Sequence, residues 1–232
     1  MNAMLLSDLL IAKKYLIPQV GLGIVVGIFM CIMMENIYVI APAIAAMTPF
    51  SVAFTILAFD ERGGWEQFRL ALPLSRKHVI TGRYASFAVI AIVGFMTGIV
   101  TTGLVIIAAT LLPNVPQLAA LMVNFSWQAI VLASILGIAI IVVMLSVVLP
   151  MVARFGMTKA VRFAPLIIFF GVFFLFTAGG NSEAPQFLAN LASWVQTPEG
   201  TLGMAGIVVA AAAALYAASC ALSIKLYERR EL

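Results

Sequence analysis

Thirteen Lys and Arg, nine Asp and Glu and a single His are all the ionisable groups, apart from thiols and phenols, that this 232-residue chain offers for chemistry. Their placement is more informative than their number. General acid–base catalysis, nucleophilic hydrolysis within a membrane and ion-coupled transport each need a titratable or metal-ligating group beside the reacting or carried species. The long apolar runs of this chain hold no Asp, Glu, Lys, Arg or His. His78 stands beside Lys77 in a polar stretch, where an interfacial polar role is the plainer reading than catalysis. No G-x-x-x-x-G-K-[ST] phosphate loop occurs, so the chain lacks that means of holding ATP. Cys31 and Cys220 fall towards opposite ends of apolar runs, too far apart for a disulfide, and read as soft core filler. The sequence therefore argues against an enzyme and against an ion-driven pump.

The elements that carry these residues are set by hydrophobicity. Apolar side chains make up 64% of the chain and charged ones 9%, with a mean hydropathy of +1.15. A soluble domain carries about 25% charged residues on its surface, so lipid is the expected solvent. The expected fold is an all-α polytopic membrane protein, one transmembrane domain over 1–232. Six spans of about 20 residues are expected near 16–34, 37–59, 84–112, 118–149, 163–178 and 201–224. Residues 1–15 read as an amphipathic interfacial helix, with Leu5/Leu9 and Leu6/Leu10 on one side and Ser7, Asp8 and Lys14 on the other.

Net charge +4 and a pI near 9.3 do not point to nucleic acid, because the basic residues are sorted by side. They fall at Lys13–Lys14, between Arg62 and Arg83, between Arg154 and Arg162, and between Lys225 and Arg230. With six spans all four segments share one face, while the other face carries Glu35, Glu183 and Glu199 without a Lys or Arg. The positive-inside rule makes the basic face cytoplasmic, with both termini inside. Tyr15, Tyr84 and Tyr227 fall at the expected inner boundaries and Tyr38, Trp127 and Trp194 at the outer ones, the levels that amphipathic rings favour.

One polar stretch, Asp60–Arg83, has more pattern than a linker requires. Gly63-Gly64 breaks the chain, Trp65, Phe68 and Leu72 recur at helical spacing, Pro73 ends the helix and Ser75 is placed as the N-cap of the next. By periodicity alone this helix either rests on lipid or meets another protein. The acidic pair Asp60-Glu61, the glycines and aromatic, and then Leu72-Pro73-Leu74-Ser75-Arg76 resemble the loop after the second span of ABC-2 type transporter permeases. In particular the stretch is similar to that of the compact subfamily that includes permeases of bacterial amphipathic-peptide exporters. The resemblance covers essentially the full length and implies a multi-pass protein of a prokaryotic cytoplasmic membrane.

What the resemblance implies is specific. The helix after span 2 is a coupling helix docking on a separate cytoplasmic ABC ATPase, with ATP and Mg bound there and no cofactor on this chain. Trp65, Phe68 and Leu72 become contact residues, and Asp60, Glu61, Glu66 and Arg69 their polar partners. A second permease copy or a paralogue completes the pathway as a dimer, in contact with membrane lipid. Spans 2 and 5 line that pathway, making Phe50, Phe54, Phe169, Phe170 and Phe173 candidate substrate contacts. Phe187, Leu191, Trp194 and Val195, at helical spacing, become an outer re-entrant segment between spans 5 and 6.

The leading expectation is thus an exporter permease for a hydrophobic or amphipathic substrate, peptide before lipid or drug. A substrate-capturing membrane component of an importer and a non-transporting scaffold are the alternatives. Gly23/Gly27 and Gly94/Gly98 form G-x-x-x-G pairs that permit close helix approach, although chance pairs are expected among 17 glycines. Thr97/Thr101 and Asn124/Gln128 are polar pairs that either line a cavity or bond between helices.

Overall fold

The computed structural model describes residues 2–62, 75–112, 114, 115, 118, 121, 122, 125–155 and 193–228. They form helices α1 (Asn2–Met34), α2 (Ile40–Arg62), α3 (Arg76–Leu111), α4 (Trp127–Phe155) and α5 (Pro198–Glu228), with a 3-10 turn at Ile37–Val39 before α2. Among the described residues there is no strand. Five helical segments are long and apolar enough to cross a membrane: Leu6–Met34, Ile37–Asp60, Arg76–Leu111, Trp127–Arg154 and Pro198–Glu228. They contain the first, second and sixth expected spans whole, the third up to residue 111 and most of the fourth. The expected fifth span at 163–178 lies outside the described residues.

Two boundaries differ from expectation. The interfacial helix at 1–15 and the span at 16–34 are one unbroken helix, α1, which passes through Pro18. A change from amphipathic to apolar side chains does not interrupt the backbone hydrogen-bond ladder, and Lys13 and Lys14 simply lie on its exposed side. The fourth span starts at Trp127 rather than near 118. Ser126 ends the preceding non-helical stretch, and its hydroxyl accepts from the N–H of Ala129 at 3.4 Å. Apolar composition runs through this N-terminus and therefore conceals it.

By chain contacts the molecule divides into two compact units, Met1–Ile141 and Val142–Leu232. In the first, α2 is the central helix. Its buried positions run 40, 41, 44, 45, 48, 49, 52, 53, 56 and 57, a stripe broad enough to serve several neighbours. Gly23 and Gly27 of α1 face Thr48 and Ile44 of α2. Gly98 of α3 lies so close to α2 that a Cβ there would stand 2.7 Å from the Ala41 carbonyl oxygen. A Cβ at Gly137 of α4 would likewise stand 2.7 Å from the Pro42 carbonyl oxygen. The G-x-x-x-G pairs are thus contact surfaces, and van der Waals packing of small residues joins these helices where lipid offers no hydrophobic drive.

The turn between α1 and α2 is closed by polar groups. Glu35 takes φ 50°, and the N–H of Asn36 donates to the Cys31 carbonyl at 3.2 Å, a Schellman termination of α1. The Asn36 side chain accepts from the N–H of Tyr38 at 2.9 Å and caps the 3-10 turn. Beside it, Cys31, Ile37, Ile40, Ile44 and Leu121 form a buried apolar cluster. The Tyr38 hydroxyl accepts from the N–H of Ser126 at 2.9 Å, tying the start of α4 to this turn.

In the second unit α5 begins at a Thr-Pro-Glu-Gly sequence. Thr197 accepts from the N–H of Gly200 at 3.1 Å, Pro198 takes the first helical position and Glu199 the positive end of the dipole. Towards its other end, Ser219 donates to the Ser146 carbonyl of α4 at 2.7 Å, and Ser219, Ser223 and Tyr227 form its buried stripe. Of the expected re-entrant segment, only 193–200 is described: a turn of helix at 193–195, then the start of α5. The rest lies outside the described residues.

Candidate functional site

The ends of α1, α2 and α3 that carry Lys13, Lys14, Arg62, Arg76 and Lys77 come together, and ionic groups are buried there. Asp8 is fully buried and Arg83 is 6% exposed. The Arg83 Nε donates to Asp8 Oδ2 at 2.9 Å, and another guanidinium nitrogen of Arg83 donates to Asp60 Oδ2. Ser86 Oγ donates to Asp8 Oδ2 at 3.0 Å. The Phe87 ring lies beneath the guanidinium, with its centroid 5.7 Å from Cζ. One planar cation is therefore shared by carboxylates from two other helices.

Local structure explains how the site is assembled. Asp8 sits on the same face of α1 as Ala12, four residues on and also buried. Asp60 lies in the last turn of α2, and Arg83, Ser86 and Phe87 share one face of the start of α3. That helix begins as expected: Ser75 is its N-cap, accepting from the N–H of His78. The Ser75 hydroxyl also meets His78 Nδ1 at 2.8 Å, which gives the lone histidine a capping role. Tyr15 of α1 and Phe59 of α2 also meet near these ends, with ring centroids 5.3 Å apart.

Asp8 is the residue that sequence reasoning misplaced. It was expected on the polar, outward side of an interfacial helix, yet it is enclosed. Its spacing to Ala12 was a signal, but an amphipathic pattern does not reveal whether the polar side meets water or a buried cation. Arg83, read from the sequence as one of the basic residues of the cytoplasmic face, is the centre of the cluster.

The other candidate residues divide by location. Asp60 is partly exposed and engaged with Arg83. Glu61 is in the final turn of α2, while Trp65, Glu66, Phe68, Arg69 and Leu72 lie outside the described residues. Phe50 and Phe54, one turn apart on α2, stack with centroids 4.7 Å apart. Phe169, Phe170 and Phe173 lie outside the described residues.

The spans' polar side chains are mostly turned back on their own helices. Thr97 donates to the Val93 carbonyl, Thr101 to Thr97, Thr102 to Gly98 and Ser134 to Ile130, at 2.6–2.9 Å. This satisfies the hydroxyl donors within each helix, including those of Thr97 and Thr101. Asn124 lies outside the described residues. Among the described residues no cluster of His, Cys, Asp or Glu could hold a metal ion.

Comparison with known proteins gives one match. The model of a family described as ABC-2 family transporter protein matches residues 3–228. No curated protein and no solved structure gives a significant match.

Proposed function

Because this chain belongs to the ABC-2 transporter family, we propose that it is the permease subunit of an ATP-binding-cassette exporter. It forms, with a second copy or a paralogue, the pathway for a hydrophobic or amphipathic substrate. The observation that carries this reading is the location of the buried charge. Among the described residues the fully or nearly buried ionic side chains are Asp8 and Arg83, both at the basic end of the helices. The apolar length of the spans offers no group to bind or relay a coupling ion. Such a conduit needs an external energy source, and a separate ATPase carrying ATP and Mg supplies it.

The segment between α2 and α3 is the contact with that ATPase. Trp65, Phe68 and Leu72 insert as apolar anchors, and Asp60, Glu61, Glu66 and Arg69 surround them, the usual arrangement of an interface core and rim. The basic end faces the cytoplasm of a prokaryotic cell under the positive-inside rule. Phe50 and Phe54 on α2, with Phe169, Phe170 and Phe173, offer aromatic surface to an apolar cargo. An amphipathic peptide fits the resemblance to the compact peptide-exporting permeases.

The test is co-purification of the tagged chain from native membranes, in wild type, Trp65→Ala and Phe68→Ala. Wild type is expected to retain a nucleotide-binding subunit identified by mass spectrometry, and each variant to lose most of it. If wild type retains no such subunit even after mild cross-linking, the permease reading fails and a scaffold role replaces it.

A further inference from the structure

We propose that Arg83 is a positioning residue, a buried clamp that joins the last turn of α2, the start of α3 and the start of α1, so that a load applied between α2 and α3 moves the three helices together. The inference rests on the reading of the segment between α2 and α3 as the ATPase contact. Asp60 stands just before the segment and Arg83 shortly after it, 23 positions apart in sequence and joined by a direct ion pair. That pair joins the base of α2 to that of α3. The same guanidinium holds Asp8 through Nε at 2.9 Å, so the base is tied to α1 as well.

Chemistry favours a rigid joint here. The guanidinium is planar and its donors point in fixed directions, so two carboxylates on separate helices are both satisfied only in a narrow range of helix orientations. Apolar packing alone permits small sliding motions between helices. The Asp8 arm of the joint is also dry: Arg83 is 6% exposed and Asp8 is fully buried, so water does not compete for that pair, whereas Asp60 is partly exposed. Ser86 fixes the Asp8 carboxylate and Phe87 supports the guanidinium from below.

Its depth suits transmission. From Arg83 to Leu111 the helix rises about 42 Å at ~1.5 Å per residue, more than the ~30 Å hydrocarbon core. With Leu111 near the opposite boundary, the clamp lies outside the hydrocarbon, next to the point where the segment leaves the helices. A push on the segment reaches three spans at their ends, before lipid or partner contacts dissipate it.

The test is amide hydrogen exchange on the full chain in lipid nanodiscs, read in the flanking turns 56–62 and 76–82. Asp60→Leu and Arg83→Lys are each expected to speed exchange in both turns about tenfold, leaving mid-helix amides unchanged. Asp8→Leu keeps the Asp60–Arg83 pair and is expected to act on the first turns of α1 instead. Uniform acceleration across α1–α3, or none in the flanking turns, overturns the proposal.

A second arm uses the co-purified ATPase complex trapped with ATP and vanadate. In wild type, trapping is expected to alter exchange at the far ends of α1 and α3. Arg83→Lys is expected to keep the ATPase bound and reduce that response at least about fivefold. An equal response in the variant, or no response in wild type, overturns transmission through the clamp. Failure of wild type to retain any ATPase removes the functional reading instead, and the nanodisc arm still decides whether Arg83 holds the two turns.

Discussion

Asp8 and Arg83 meet through a 2.9 Å Nε–Oδ2 bond that solvent does not reach, joining the beginning of the first helix to the beginning of the third. Both residues belong to stretches whose composition reads as surface. The cost of burying them is offset by the charge each presents to the other and by the bonds to Asp60 and Ser86.

The three charges of this cluster are not equivalent, which gives an asymmetric mutational prediction. Arg83→Gln leaves two carboxylates facing each other in an enclosed site, and the expected cost is about 3–5 kcal/mol. Asp60→Leu leaves a balanced Asp8–Arg83 pair and is expected to cost less than half of that. Thermal unfolding of detergent-purified protein, followed by size-exclusion chromatography, ranks the variants; equal costs contradict the assignment of Arg83 as the shared centre.

Helix spacing makes a second prediction. A methyl at Gly98 meets the Ala41 carbonyl oxygen at 2.7 Å, whereas one at Gly103 meets nothing within 4 Å. Gly98→Ala is expected to destabilise by about 1–3 kcal/mol as α3 is forced away from α2. Gly103→Ala is expected to be neutral or stabilising by roughly 0.5–1 kcal/mol, since glycine in a helix interior is entropically costly. Melting temperatures of the two variants should therefore move in different directions.

Glu35 occupies the left-handed region at φ 50°. For a residue with a Cβ this costs roughly 1–2 kcal/mol, and Schellman terminations usually place glycine there. Glu35→Gly is expected to raise the melting temperature and leave the ion cluster at the other end untouched. A drop in melting temperature means the Glu35 side chain makes a contact worth more than the backbone strain.

Orientation is open to a labelling test. In a background where Cys31 and Cys220 are Ser, Lys77→Cys is expected to react with a membrane-impermeant maleimide only after the cells are opened. Asn114→Cys is expected to react in intact cells. The reverse pattern inverts the topology and moves the Arg83 clamp to the outer face.

Much of this architecture is legible in the sequence because hydrophobic length and charge asymmetry are local and additive. Five described helices fall on expected apolar runs, Ser75 caps α3 as its position implies, and both G-x-x-x-G pairs meet α2. The start of α4 was misread because the residues before Trp127 are as apolar as those after it. The break expected near residue 15 is absent, because a change in side-chain polarity leaves the helical backbone intact.

By itself, then, the sequence determined a multi-helix membrane protein whose long apolar runs hold no ionisable group, and it showed a resemblance to the ABC-2 permeases. Hydrophobic transfer free energy accumulates residue by residue, so no knowledge of neighbours was needed. Only the tertiary structure decided that Asp8, Asp60 and Arg83 form one enclosed cluster, and that Gly98 and Gly137 approach α2 closely enough to exclude a side chain. Burial of a charge, and the space beside a glycine, depend on which helices pack together, and nothing in one helix's periodicity names its partner.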